Sequence, residues 1–162
     1  MEYRVRELAD HFLGVTKHIF SERGYCFSSA FLVGEGVEVI KLDLSTEEKK
    51  EAYSNLVKCR FFAGDARDLI VIHQAWVTKH SPFEMCELFA EDQGEMRLHD
   101  KYHDAEEALL VFISSRTGGE VWQVPFTRSD GGIIFQEKQI LKSIVSENWM
   151  VNRNKDLATQ LN

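Results

Sequence analysis

The sequence predicts an α+β domain: a single, mostly antiparallel sheet of about six strands with helices packed on it. Three observations carry that expectation. Short β-prone runs are joined by glycine-bearing turns, other stretches space their apolar residues helically, and one strand is apolar on both faces. The expected order is α-β-β-α-β-β-β-β-α, with a long acidic connector between the third and fourth strands. Residues 1–150 form the domain and 151–162 a polar tail.

Val5, Leu8, Ala9, Phe12, Leu13, Thr16, Ile19 and Phe20 recur at three- and four-residue steps, which places one apolar stripe on a helix ended by Gly24. YCFSSAFLV and VEVIKLDL, joined through Gly34-Glu35-Gly36, read as a hairpin. Ser45 or Thr46 caps the next helix, with Glu48 completing a capping box after Ser45. Ala52, Leu56, Cys59 and Ala63 give that helix its expected buried face, widened by Tyr53 and Val57. LIVIHQAWV at 69–77 is apolar through most of its length, so it belongs at the centre of a sheet covered on both sides. Ser81-Pro82-Phe83-Glu84 opens a short helix inside the connector. ALLVFIS, EVWQVPF and IIFQ follow as strands, turned by Thr117-Gly118-Gly119 and by Ser129-Asp130-Gly131-Gly132. Pro125 has no amide to donate, which predicts an edge or broken strand there and leaves an edge for a homodimer. Ile140, Leu141, Ile144, Val145 and Trp149 suit a final helix.

With 44% apolar residues and 18 aromatics among 162, the chain can build a substantial core. Cys26, Cys59 and Cys86 share no short spacing, so neither a thiolate zinc site nor a disulfide framework is expected. No secretory leader and no apolar run of membrane-spanning length is legible, and the expectation is a cytoplasmic protein with no membrane partner. The formal charge of −7 is concentrated: residues 79–107 hold nine acids against three bases, a net −6. That balance gives no generic pull towards nucleic acid and favours a protein partner with a basic surface.

Two histidines invite a test of metal chemistry. His99 and His103 are four apart, a spacing that on a helix puts both imidazoles on one face as zinc requires, with Asp100, Asp104 or Glu107 as a third ligand or base. Asp100 is shorter than the glutamate of metalloprotease helices, and the charged neighbours Lys101, Asp104 and Glu106 favour a solvated loop. No nucleophile elbow, phosphate loop or reactive cysteine is legible, so no catalytic residue, metal or cofactor is assigned.

One resemblance adds to this reading. The segments containing Ala75-Trp76, Glu107-Ala108-Leu109 and Arg128-Ser129-Asp130 resemble a family of short uncharacterised proteins from bacterial and phage genomes. The likeness covers about 40% of the chain, residues 68–132; it implies a bacterial or phage origin and brings no known activity with it. Where that pattern carries an acid before Ala-Trp, this chain has Gln74.

The leading expectation is therefore a non-enzymatic protein-binding or accessory module. Its contact surface is the acidic connector 79–107, through Phe83, Glu84, Glu87, Glu91 and Asp92. The alternatives are a small-ligand, nucleotide-like pocket over the sheet lined by His73, Trp76 and Trp122, and a metal-dependent hydrolase using His99 and His103.

Overall fold

The computed structural model describes residues 3–77, 106–115 and 118–141. Two helices, α1 (Tyr3–Arg23) and α2 (Glu47–Ala63), flank a seven-stranded sheet of β1 (Ser28–Val33), β2 (Val37–Leu42), β3 (Asp68–Val77), β4 (Glu106–Ser115), β5 (Gly118–Ser129), β6 (Gly132–Phe135) and β7 (Gln139–Leu141). The order is β2-β1-β3-β4-β5-β6, with β7 also paired to β5, and every pairing is antiparallel. The α+β class and the antiparallel sheet are as expected; the described residues form seven strands where about six were expected.

Alternation along each strand splits the core between the two faces of the sheet. On one face, Val5, Ala9, Leu13 and Phe20 of α1 pack on Ile70, Ile72, Leu109, Val111, Trp122 and Phe126. Full burial of each large apolar side chain contributes about 1.5–3 kcal/mol, so this stripe is what holds α1 to the sheet. Phe12 stacks flat on Phe31 of β1, with centroids 4.2 Å apart, and Phe20 meets Phe126 edge-on. Gly24 ends the helix as expected, in the left-handed region at φ 77°, with its N–H donating to Phe20 C=O at 2.8 Å.

The opposite face packs Val57 of α2 with Ala30, Leu32, Leu42, Leu69, Val71 and Phe112. Thr46 is the N-cap of α2, its hydroxyl accepting from Lys49 N–H at 3.2 Å. Ser45 instead donates to Asp43 through both its N–H and its hydroxyl, and these bonds with that from Lys49 hold the Asp43 carboxyl down at about 2. The expected buried face of α2 is corrected. Ala52, Leu56, Cys59 and Ala63 are exposed, while Ser54 and Val57 are buried and Tyr53 and Phe61 partly so. Two apolar stripes share this helix, and the one through Val57, with Tyr53 and Phe61 beside it, is the one that packs on Leu32, Leu42, Leu69 and Val71; the exposed pairs Arg60–Glu38 and Lys49–Asp43 lie along its flank towards β2.

Two further expectations change at β5. Pro125 lies in an interior strand, opposite Ala108 of β4. Its carbonyl accepts from Gln136 N–H on the far side, so its missing donor also points that way, into the interval between β7 (paired to 121–123) and β6 (paired to 126–129). The proline falls where no ladder bond is needed. Ile140 and Leu141 belong to β7 rather than to a final helix, because the outer edge of β5 at Val121–Gln123 is left open by β6 and takes up that segment. Ile144, Val145 and Trp149 of that expected helix lie outside the described residues. The expected placement of 69–77 stands: β3 lies between β1 and β4, with Leu69 to Ile72 buried on both faces.

Candidate functional site

The connector springs from the middle of the sheet. Val77, the last residue of β3, pairs with Glu106, the first of β4, so residues 78–105 leave and re-enter at adjacent points. Glu106 and Glu107, which the sequence reading counts into the connector, are strand residues. Phe83, Glu84, Glu87, Glu91 and Asp92, the short helix opened by Ser81, and His99 and His103 lie outside the described residues.

A polar cluster on the α1 face ties these roots together. Gln74 donates to Glu107 Oε1 at 2.7 Å. Arg128 Nε donates to Glu107 Oε2 at 2.8 Å, its Nη2 reaches Oε1 at 3.3 Å, and its Nη1 donates to Gly24 C=O at 2.9 Å. The guanidinium also lies 5.2 and 5.5 Å from the rings of Phe20 and Phe126. One side chain thus joins the end of α1 to β4 and β5. Strand parity explains the convergence: Gln74, Glu107 and Arg128 sit on neighbouring strands, and each points to the α1 face. Three stretches far apart in the chain meet at this cluster, a juxtaposition that their separation conceals.

Its chemistry is that of a clamp. Both Glu107 oxygens accept hydrogen bonds, and Gln74 supplies an amide where a second carboxylate would be needed for acid–base or two-carboxylate metal work. Cys26 lies beside it half-buried, and burial pushes its thiol up to about 11 despite the nearby Arg128, so it is a poor nucleophile. Among the described residues, no group of three or more His, Cys, Asp or Glu could hold a metal ion, and no helix is long and apolar enough to cross a membrane.

The three residues expected to line one ligand pocket are separated. Trp76 and Trp122 face α1, Trp122 being fully buried under it and Trp76 exposed at the sheet end, whereas His73 faces the α2 side. They cannot share a concavity across the thickness of the sheet. His73 stacks on Phe112 at 5.4 Å, and its Nδ1–H donates to Gln74 C=O at 3.2 Å. A hollow of about 330 Å³ does exist at the opposite end of the sheet, between Gly34, Glu38, Arg60 and Asp65. Its lining is not legible along the chain, because the 34–36 turn and the 64–66 loop meet only in the fold.

No family model, curated protein or solved structure matches the chain. The site is therefore read from its own geometry.

That geometry makes a testable statement about His73. Burial, partly offset by its bond to Gln74 and reinforced by Lys50, lowers its pKa below the ordinary 6.5. The unfolded chain then binds a proton that the fold refuses, so the stability from this residue is present above about pH 6.5 and is lost as pH falls through the lower folded value. Melting temperature is expected to fall between about pH 7 and pH 5, and His73→Phe should flatten that fall. Equal slopes in the two proteins would refute it.

Proposed function

We propose that this chain is a non-enzymatic binding module that presents the acidic connector 79–107 to a protein partner with a basic surface. The observation that supports the reading is the clamp at the connector's roots. The central strands of the sheet hold the two ends of the connector side by side, and Gln74, Glu107 and Arg128 fix that end to α1 with both carboxylate oxygens committed. A rigid base beneath a long insertion is how folds display recognition loops. The acids in the insertion supply attraction to a basic surface.

Simultaneous reversal of Glu87, Glu91 and Asp92 to lysine changes the charge by +6, taking the formal total from −7 to about −1. Exposed pairs contribute about 0.2–1 kcal/mol each, so affinity for a partner captured by the wild-type chain should fall on the order of tenfold at low salt. The difference between the two proteins should narrow as salt screens the wild-type interaction. Capture that is unchanged by the triple reversal at every salt concentration rules out the connector as the contact surface.

A further inference from the structure

Six of the eleven exposed large apolar side chains among the described residues, Val15, Ile19, Phe27, Val37, Val39 and Leu56, gather on one side of the molecule. Three layers bring them there. In α1, Arg6 and Asp10 turn one flank to Glu120 and Lys138 at the β5 side. Phe12 stacks on β1 from the other flank, and helical spacing carries Val15 and Ile19 beyond it, away from β5. In the sheet, β2 is the last of the described strands, and Val37 and Val39 stand on the α1 face, 43% and 58% exposed. In α2, the Lys49–Asp43 and Arg60–Glu38 pairs turn a flank towards β2, and Leu56 stands on that flank at the same spacing.

Among the described residues no strand pairs with the outer side of β2, and the edge is regular. Six consecutive residue pairs join β2 to β1 without a bulge or a proline, so on its other side alternate residues direct backbone N–H and C=O groups outward. The lysine that would protect such an edge, Lys41, is folded over the ring of Phe27 at 3.2 Å. We propose that β2 pairs antiparallel with β2 of a second copy, joining two sheets into one and packing α2 against α2.

The charges of the edge suit a two-fold axis. Pairing centred on Ile40 sets Glu38 opposite Leu42 and Lys41 opposite Val39, so no like charges stand face to face. The two ion pairs on α2 span eleven helix residues and five strand residues, roughly 16 Å by either rise, which sets Leu56 level with Ile40 and hence with its own copy across the axis. The same symmetry brings the Lys49–Asp43 pair of one copy beside the Arg60–Glu38 pair of the other, two bases and two acids at each end of the seam. The edge expected from Pro125 has no part in this, since that strand is interior.

Sedimentation velocity on the full chain tests the proposal. At concentrations on the order of 10⁻⁵ M the wild type should sediment at twice its 18.7 kDa mass. Val39→Lys and Leu56→Lys, both at exposed positions, should each weaken the dimer at least tenfold with an unchanged melting temperature at matched monomer population. Ile134→Lys, exposed on the opposite side at β6, should leave it intact. A monomeric wild type overturns the proposal, as does a dimer that survives both the Val39 and Leu56 substitutions or dissociates only with Ile134→Lys.

Discussion

Trp122→Ala is expected to destabilise the fold by about 3–5 kcal/mol, the usual cost of truncating a buried tryptophan to alanine. Trp122 is 1% exposed in the middle of β5, between Val111 of β4 and Ile140 of β7. Its indole fills the α1 face and donates Nε1–H to Glu120 at 3.1 Å, and Lys138 stands 3.9 Å over the ring. Glu120 also receives Arg6 from α1, a bond that lowers its carboxyl pKa, and Lys138 reaches Asp10 of α1 at 2.5 Å. Removing the indole therefore leaves a cavity and loosens two polar ties between α1 and the sheet. Chemical denaturation should show a lower midpoint with the same dependence on denaturant. A loss below about 1 kcal/mol would mean that α1 does not depend on this side chain for its seat.

Gly34→Ala has the second-largest expected effect. A Cβ at Gly34 would lie 2.6 Å from Asp65 C=O and 3.0 Å from its carbonyl carbon, both backbone atoms that cannot rotate away. The approach is close because Arg67 N–H donates to Val33 C=O at 2.8 Å, drawing the segment after α2 against the β1–β2 turn. Accommodation requires either the turn or that segment to move, at a cost of about 1–3 kcal/mol typical of overpacking. Gly36→Ala is the matched control, since a Cβ there meets nothing within 4 Å. The two substitutions should separate clearly in thermal melts, and equal midpoints would show that the turn yields freely.

Most of the architecture is legible along the chain because its signals are local. The stripe of α1, its stop at Gly24, a cap at Ser45 or Thr46 and the two-sided burial of β3 each rest on spacing within one element, and the fold chooses Thr46. The failures share one cause. At α2 two apolar stripes are present, and only the sheet residues that surround Val57 decide which one is buried. At Pro125 an absent donor implied an edge, whereas the relay between β6 and β7 lets an interior strand do without it. At Ile140 and Leu141 the helical spacing gave way to an open stretch of β5.

The candidate site divides in the same way. The acidity of 79–107 and its unusual length are properties of the sequence, and they single out the connector without any coordinates. Gln74, Glu107 and Arg128 stand apart in the sequence, and a clamp exists only where strands far apart in the chain lie side by side and their alternation agrees. The separation of His73 from Trp76 and Trp122 follows from that same alternation.

By itself the sequence determined the α+β class, the first helix, the central strand and the acidic insertion, since periodicity, capping and charge act over a few residues. Only the tertiary structure decided which flank of α2 is buried, what holds the connector's roots and which strand ends the described sheet. Those choices depend on strand order and register, which are set by contacts between residues that are remote in the chain.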